Sequence, residues 1–400
     1  MKVLHIIPSI SPVRGGPSRA VLEMVQALRH HGADATIVTT NDDGVALLDV
    51  PLREWTDYQG VPVQFFDRFS PKMNSIREFA FSSSLTFWLW QHLHEYDLLH
   101  IHAIFSYPST VAMAIARQKQ IPYIVRPLGQ LCHWSLQQGQ VKKQVYLNSI
   151  ERENLQRAHA LHFTSLAEQE EAAQVGLSAP SFVLPHGLRP PQLIPDARQK
   201  LHQQLGSPIE QPIILFLSRL HPKKGLPYLF SALSVCQTPL TFVLAGSGTA
   251  EHEAEVAEQV RSAGIDSCTH RVGQVAGKFK DLLLQGSDLF ALTSHSENFG
   301  IAVLEALAAG TPVLTTPGVA LSPLVAQERL GWVVELDSQA ISQTLQTFLQ
   351  HPETAEGMGD RARQIVCDRY SWEAVTSSLL EKYQAILSSP ASVCSLSSMN

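Results

Sequence analysis

The sequence has no excess of basic charge, few cysteines and no long apolar run, and each shortage excludes a class of protein. Thirty lysines and arginines against 36 aspartates and glutamates give a net charge of −6, which leaves no basic excess for binding nucleic acid. The five cysteines are scattered and form no C-x-x-C pair, so neither a disulfide framework nor a structural zinc site is expected. No stretch approaches the roughly eighteen apolar residues of a membrane-spanning helix. We therefore expect a globular protein of a reducing, cytoplasmic compartment.

Residues 1–8 lack the features of a signal peptide, because they carry one lysine and an apolar run that is too short. A first β-strand explains this run better. Further along, the segment 79–90 is the richest in apolar residues but is interrupted by serines. We expect it to form a core helix, and an interfacial contact with a membrane or an acceptor is the alternative.

Short apolar or β-branched runs alternate with longer helical patterns along almost the whole chain. Most of these runs are continuously apolar, as expected for strands that helices cover on both faces. The predicted strands are 3–7, 35–39, 63–66, 98–102, 123–126, 160–163, 182–184, 213–217, 241–245, 289–292, 313–315 and 332–334. This alternation indicates an α/β protein with parallel sheets and crossover helices.

A domain boundary is expected near residue 190, where the pattern breaks into the proline-rich stretch 189–195. We therefore predict an N-terminal domain over 1–190 and a C-terminal domain over 191–370, both doubly wound. An apolar stripe predicts a last helix over about 371–387. The serine-rich end, 388–400, is predicted to be a frayed, disordered tail.

The most informative segment is 293–313, in which a buried strand ends, a polar loop follows and a helix is predicted to begin near Gly300. Ligands of open α/β sheets lie beyond the carboxyl ends of the strands, and a helix start offers unpaired N–H groups to a phosphate. Glu297 and Glu305 can border the same pocket. Because a carboxylate repels a diphosphate, we expect both glutamates to accept hydrogen bonds from sugar or ribose hydroxyls. The alternative is an amphipathic helix with surface glutamates.

These residues stand in a longer pattern over 294–313, S-x-x-E-x-F-G-x-x-x-x-E-A-x-A-x-G-T-P-V, which resembles the signature of glycosyltransferase family 4. The resemblance implies a retaining enzyme of the GT-B fold that uses a nucleotide-sugar donor. It implies two Rossmann-like, doubly wound domains that face each other across a cleft, with the donor mainly on the second domain and the acceptor mainly on the first. It also implies that the last helix crosses back to the first domain.

Further segments of the C-terminal domain are similar to the family's pattern. The string R-L-x-x-x-K-G over 219–225 implies that Arg219 and Lys224 bind the donor diphosphate, and solvated charge at a strand end is the alternative. The turn L-x-G-x-G over 244–248 implies that Gly246 lies at the nucleoside pocket, unless it is an ordinary glycine turn. The donor-binding residues implied by the resemblance are Gly16, Arg219, Lys224, Gly246, Val275, Glu297, Asn298, Phe299, Gly300, Ile301 and Glu305.

The resemblance is looser in the N-terminal domain. Gly16 lies in a loop after the first strand, where the resemblance places it near the donor phosphates or the acceptor, and a plain strand-to-helix turn is the alternative. The loop does not match G-x-G-x-x-G, which disfavours a nicotinamide site. The string D-x-x-H-x-H over 97–102 resembles a strand end of the family and makes His102 a candidate for the cleft, although a core histidine is an equal alternative.

One departure from the family concerns the loop after the strand 123–126. Many relatives read P-H-G there, with the histidine near the transferred sugar, whereas this chain reads Pro127-Leu128-Gly129. Leucine neither donates nor accepts a hydrogen bond, so a nearby group is expected to substitute, or else activity is lost. The candidate substitutes are Arg126, Gln130, His133 and His102.

The sequence therefore predicts a retaining glycosyltransferase that moves a sugar from a nucleoside-diphosphate sugar to a glycan, lipid-linked or small-molecule acceptor, in envelope or extracellular polysaccharide synthesis. The predicted catalytic residues are Glu297, Arg219, Lys224, His102 and His133. No Asp-x-Asp pair occurs, so we expect no metal, and no cofactor, because the nucleotide-sugar is a substrate. The alternatives are a nucleotide-sugar epimerase of the same fold and a non-catalytic nucleotide-sugar-binding subunit. A peripheral contact with the inner face of the membrane is an alternative to a purely cytoplasmic location.

Overall fold

A computed structural model describes residues 1–73 and 77–388 and divides into two compact units. The first unit contains Met1–Gly187 together with the terminal segment that begins at Trp372, and the second contains Leu188–Ser371. The domain boundary predicted at 190 falls just after this division. The predicted tail lies outside the described residues, apart from Ser388, which ends the last helix.

The first unit is built on an eight-stranded sheet. The strands of this unit are β1 (Lys2–Ile6), β2 (Asp34–Thr40), β3 (Asp42–Asp43), β4 (Ala46–Leu47), β5 (Trp55–Tyr58), β6 (Val61–Phe66), β7 (Leu98–His102), β8 (Tyr123–Arg126), β9 (Ala160–Phe163) and β10 (Ser181–Val183). Two of them, β3 and β4, form a separate pair outside the eight-stranded sheet. The order is β10-β9-β8-β7-β1-β2-β6-β5. All neighbours in it are parallel except β5, which pairs antiparallel with β6 at one edge.

Helices connect the parallel strands of the first unit. They are Gly16–His30, Ser83–His92, Tyr107–Lys119, His133–Gln137, Gln140–Tyr146, Arg152–Gln156, Leu166–Ala173 and Trp372–Ser388. The last helix packs on Gly16–His30, where the Trp372 indole Nε1 donates to Glu23 Oε2 at 3.1 Å. The return of the terminal helix to the first unit agrees with the GT-B expectation.

The second unit is built on a six-stranded sheet in which every neighbouring pair is parallel. Its strands are β11 (Ile213–Leu217), β12 (Thr241–Ala245), β13 (Thr269–Gly273), β14 (Leu289–Leu292), β15 (Val313–Thr315) and β16 (Gly331–Val333). Its helices are Ala197–Leu205, Leu226–Ser234, Ala250–Ser262, Gly277–Gly286, Ile301–Ala309, Ser322–Gln327, Ser338–Gln350 and Met358–Tyr370. The central strands are fully buried, because helices cover both faces of the sheet.

The strand order of the second unit, β13-β12-β11-β14-β15-β16, reverses direction between β11 and β14. In a doubly wound sheet such a reversal opens a crevice beyond the carboxyl ends of the two strands, and ligands bind there. A ligand site is therefore expected at the loops that follow β11 and β14. No helix among residues 1–73 and 77–388 is long and apolar enough to cross a bilayer.

Candidate active site

The loops that follow β11 and β14 are joined directly at the carboxyl edge of the second unit. The His295 backbone N–H donates to the Lys223 carbonyl at 2.9 Å, and the Thr293 hydroxyl donates to the Gly225 carbonyl at 3.2 Å. The loop after β12 lies against the loop after β11, because a Cβ added to Gly246 would lie 1.8 Å from the Ser218 carbonyl oxygen. The predicted site segments 219–225, 244–248 and 293–300 thus meet at one edge of one sheet.

The helix Ile301–Ala309 begins at the centre of this edge, as the sequence predicts. Its cap, Gly300, has φ +92°, and no side chain caps the first N–H groups. Its first turn contains no acidic residue, so the positive end of the helix dipole is not neutralised from within the helix. Such a helix start suits an anionic group.

Lys224 and Glu297 form an ion pair at the switch point. The Lys224 ammonium bonds to Glu297 Oε1, and the two side chains are 10% and 17% exposed. The Ser294 hydroxyl also donates to this oxygen, at 3.4 Å. The backbone of Glu297 is fixed by the loop after β15, because its N–H donates to the Gly318 carbonyl at 2.8 Å. A residue predicted to bind diphosphate thus contacts one predicted to bind the sugar.

Glu305 forms a second, similar pair with a residue that the sequence did not single out. Lys280 Nζ lies 2.7 Å from Glu305 Oε1, and both side chains are only 12% exposed. Lys280 belongs to the helix Gly277–Gly286 that follows β13, 25 residues before its partner. No short motif spans that separation, so only the fold reveals the contact.

The remaining donor residues predicted in the second unit lie along the same edge and range from exposed to buried. Arg219 is exposed and makes no ion pair with any other described residue. Val275 is half-buried after β13 and packs against the core, while Phe299 is buried and Asn298 and Ile301 are half-buried. An exposed guanidinium can form two hydrogen bonds with an incoming anionic group.

Gly16 and the candidate histidines belong to the first unit. Gly16 is exposed and is the first residue of the helix Gly16–His30 that follows β1. His102 ends β7, but its side chain is completely buried, and its Nε2 lies 3.0 Å from His5 Nδ1. The expectation that His102 faces a substrate is therefore wrong for this structure, because a fully enclosed imidazole has no route to a ligand. The alternative, a core histidine, describes its position.

His102 is part of a larger polar cluster inside the first unit. His100 Nδ1 lies 2.6 Å from the Tyr383 hydroxyl and its Nε2 lies 3.2 Å from His162 Nδ1. Burial lowers the pKa of His5 to about 3 and that of His102 well below its usual value, and the positive charge of Arg126 adds to both effects. These imidazoles are therefore neutral at pH 7.

The nitrogens of His5, His100 and His102 lie within 4.8 Å of one another, a grouping that could hold a metal ion. Both nitrogens of His100 are already hydrogen-bonded, however, and its ring stacks on that of His102 with centroids 4.4 Å apart. Stacked rings direct their lone pairs side by side rather than toward one point. The geometry thus favours a hydrogen-bonded core over a metal centre.

The loop after β8 carries the departure from the family pattern. Leu128 has φ +56°, a left-handed conformation that is uncommon for leucine and marks local strain. Arg126 is fully buried, and its Nη2 lies 2.9 Å from His186 Nδ1. Gln130 uses its side-chain oxygen to accept from the Ile104 N–H. His133 is exposed, with its Nε2 2.8 Å from Gln137 Nε2.

Comparisons with known proteins agree with this geometry. A family described as glycosyl transferases group 1 matches residues 197–365, and one described as glycosyl transferase 4-like domain matches residues 15–187. The D-inositol 3-phosphate glycosyltransferase of Corynebacterium urealyticum is 26% identical over 328 residues, which are 78% of this chain and 76% of that protein. The phosphatidyl-myo-inositol mannosyltransferase of Mycobacterium leprae is 24% identical over 98% of this chain and 99% of that protein.

Solved structures share the fold over almost the whole chain. HepE of Anabaena, solved in complex with UDP and glucose, has a TM-score of 0.76 at 22% identity and covers 96% of this chain and 100% of its own. The fold and the two matched halves together define a glycosyltransferase with Rossmann-like domains of the GT-B class. The second unit matches the glycosyl transferases of group 1 and the first matches the glycosyl transferase 4-like domain, so the resemblance stated from the sequence is confirmed.

Proposed function

We propose that this glycosyltransferase transfers a sugar from a nucleoside-diphosphate sugar to a hydroxyl acceptor with retention of anomeric configuration. The observation that carries the proposal is the carboxyl edge of the second unit. Arg219, Lys224 and the uncapped helix start at Gly300 supply positive charge there, and two carboxylates, Glu297 and Glu305, stand beside them. Cations suit the diphosphate, and carboxylates suit the hydroxyls of the sugar and ribose.

The proposed chemistry follows from these charges. The bond between the anomeric carbon and the leaving phosphate oxygen breaks, a bond to the acceptor oxygen forms on the same face, and the acceptor proton passes to the leaving phosphate. Arg219, Lys224 and the helix start stabilise the charge that grows on the diphosphate. Glu297 orients the transferred sugar, and Glu305 holds the ribose. No protein nucleophile is required.

The acceptor is proposed to be a glycan, a lipid-linked sugar or a small polyol, in a pathway of envelope or extracellular polysaccharide synthesis. The names of the two relatives support a hydroxyl-rich acceptor, since one acts on inositol 3-phosphate and the other on phosphatidyl-myo-inositol. A lipid-linked acceptor is also supported by the helix Ser83–His92. Its Leu85 and Leu89 are buried, while Phe87 and Trp90 are 64% and 45% exposed, an aromatic face that suits the membrane interface.

A donor screen tests the proposal directly. Thermal shifts are measured with UDP-, GDP- and ADP-sugars, and the UDP-sugars come first because HepE was solved with UDP. A ligand at one hundred times its dissociation constant stabilises the folded state by about 2.7 kcal/mol, which is enough to rank donors. The donor that binds is then incubated with and without acceptors. Conversion of the donor without any acceptor would indicate the epimerase, and binding without turnover the non-catalytic subunit.

A further inference from the structure

The pair formed by Lys280 and Glu305 is well placed to control nucleotide binding. Lys280 Nζ donates to Glu305 Oε1 at 2.7 Å, and each side chain is 12% exposed. The two residues come from neighbouring helices, Gly277–Gly286 and Ile301–Ala309, which pack on each other. The contact therefore joins the helix that follows β13 to the helix that begins at the switch point.

Enclosure makes this contact important for the carboxylate. A carboxylate that is removed from water without a partner is destabilised, and a nearby cation offsets this cost. A carboxylate also has about four acceptor positions on its two oxygens. A lysine bound at Oε1 thus fixes the orientation of the Glu305 carboxylate without exhausting its capacity to accept hydrogen bonds.

The two lysine–glutamate pairs of the edge differ in one respect. Lys224 lies in the short turn Pro222–Lys224 directly after β11, at the switch point where the diphosphate is expected, so its pair with Glu297 must reorganise when a phosphate binds. Lys280 lies in the first turns of the helix after β13, and among residues 1–73 and 77–388 its ion-pair partner is Glu305. Its charge is therefore available to support the carboxylate throughout donor binding.

We propose that Lys280 is a positioning residue that holds the Glu305 carboxylate oriented for the ribose hydroxyls of the donor. The inference rests on the proposed function, in which Glu305 meets the ribose. Lys280 acts through Glu305 and contacts neither the diphosphate nor the reacting carbon. It determines how strongly the site distinguishes a ribonucleotide from a deoxyribonucleotide.

The test uses titration calorimetry on the full chain with UDP, or with GDP or ADP if either binds more tightly, and with the 2′-deoxy and 3′-deoxy forms of the same nucleotide. The wild type should prefer the ribonucleotide over at least one deoxy form by about tenfold or more, since a hydrogen bond to a charged acceptor is lost. Lys280→Met should bind the ribonucleotide at least about tenfold more weakly and lose this preference. Its affinity for the disfavoured deoxy form should change little.

Three further variants separate positioning from a general effect on the fold. Lys280→Arg keeps the charge and should recover most of the preference. Lys278→Met removes an exposed lysine from the same helix and should match the wild type. Glu305→Gln should lose the same preference as Lys280→Met, and the double variant Lys280→Met with Glu305→Gln should be little weaker than Glu305→Gln alone. If Lys280→Met does not fold, the double variant removes the uncompensated carboxylate and allows the comparison.

Different failures have different meanings. Equal weakening of ribo and deoxy forms by Lys280→Met would show that Lys280 contacts the nucleotide itself and would overturn the inference. So would an unchanged preference, or additive losses in the double variant. A wild type that binds none of UDP, GDP and ADP would contradict the proposed function, and this inference with it. A wild type that binds one of them but does not distinguish the deoxy forms would contradict the inference alone.

Discussion

Single residues at the carboxyl edge of the second unit hold their charges in pairs. Lys224 bonds to Glu297 and Lys280 bonds to Glu305, and all four side chains are at most 17% exposed. Within each ion pair the two charges neutralise each other before any ligand binds, and Arg219 adds an exposed positive charge. In the proposed function, a diphosphate competes with Glu297 for Lys224, so binding of the phosphates would release the Glu297 carboxylate.

Lys224→Ala should weaken nucleotide binding. The variant removes a cation from the diphosphate site and leaves Glu297 unpaired, and a lost hydrogen bond to a charged group is worth about 1.5–3 kcal/mol. Calorimetry with the nucleotide that the wild type binds measures the change, and added salt should weaken wild-type binding more than that of the variant. Lys223→Ala, in the same turn, is the control. Equal affinities of Lys224→Ala and the wild type would remove Lys224 from the site.

Five histidines of the first unit, His5, His100, His102, His162 and His186, are buried and neutral. Burial is the main cause that lowers the pKa of His162, His186, His5 and His102 below the usual value, and the positive charge of Arg126 adds to each of these effects. These residues bind protons in the unfolded chain near pH 6.5 but not in the folded one. Their contribution to stability is therefore present above pH 6.5 and is lost as the pH falls toward the folded pKa.

The unfolding free energy should fall between pH 7.5 and pH 5.5. Each histidine that stays neutral when folded contributes about 1.4 kcal/mol to the loss over this interval. Urea unfolding at the two pH values, followed by fluorescence, measures the change. His162→Gln should reduce the loss, whereas His133→Gln, at an exposed site, should not. An unfolding free energy that is unchanged or higher at pH 5.5 would contradict the neutral cluster.

The place of a site residue could be predicted only where a motif fixes both the type and the position of its side chain. The placement of Glu297 and Lys224 at the carboxyl edge was predicted in this way, because each lies in a short segment that follows a buried strand, and their roles stay predictions. The position of His102 could not be predicted in this way. The strand pattern predicts that His100 and His102 lie on the same face of the sheet, but it does not show that helices bury this face. Lys280 was missed, since its partner is distant in sequence.

Elements at this edge depend on backbone geometry as well as on charge. Gly300 begins the helix Ile301–Ala309 in a left-handed conformation, and a Cβ there would lie 3.0 Å from Val319 Cγ1. The helix ends as the sequence predicts, at Gly310 with φ +86°, which is favoured at a helix C terminus. The two glycines therefore define the length and direction of the element that offers N–H groups to the ligand.

Gly300→Ala should lower both stability and nucleotide affinity. Alanine in the left-handed region costs about 1–2 kcal/mol, and contact with Val319 should shift the helix start. Gly264→Ala is a matched control, since Gly264 has φ +71° and no atom within 4 Å of its Cβ position. Thermal unfolding should show a loss for both variants, whereas calorimetry should show weaker binding for Gly300→Ala alone. Equal nucleotide affinity of the two variants would mean that the helix start does not contact the ligand.

Central strands were predicted accurately, whereas edge strands were shifted or missed. The predictions for β7, β8, β11 and β14 match the structure residue for residue, because buried strands are rich in apolar residues even where, as in β7 and β8, they also bury a polar side chain. The edge strands β10 and β16 were predicted one residue too late. The strand β13, Thr269–Gly273, was missed since it lies at the edge of its sheet and is only partly buried. The antiparallel strand β5 was missed for the same reason.

The whole molecule consists of two Rossmann-like units, and the terminal helix Trp372–Ser388 belongs to the first of them. Gly187 contributes to this docking, because a Cβ there would lie 2.3 Å from the Trp372 ring. The hydroxyl of Tyr383, from the same helix, lies 2.6 Å from His100 Nδ1 inside the unit. Fold class and family followed from strand alternation and one long motif, whereas acceptor identity did not, because acceptor contacts come from loops without a fixed pattern.

Trp372→Ala should destabilise the first unit without changing nucleotide binding. The side chain is 2% exposed, and removing a buried large aromatic costs about 3–5 kcal/mol. Leu387→Ala, at the 38% exposed end of the same helix, is the control and should be nearly neutral. Chemical unfolding measures stability, and calorimetry measures nucleotide affinity. A loss of affinity equal to that of Lys224→Ala would mean that the donor site depends on the first unit.

Stereochemistry of transfer tests the central claim most directly. An α-linked nucleoside-diphosphate sugar that binds is incubated with hydroxyl acceptors in the presence of a chelator, and proton NMR follows the anomeric signal of the product. We predict acceptor-dependent release of the nucleoside diphosphate and an α-linked product, with a rate that the chelator does not change. A β-linked product, activity that is abolished by chelator and restored by manganese, or binding with no transfer to any acceptor would contradict the account.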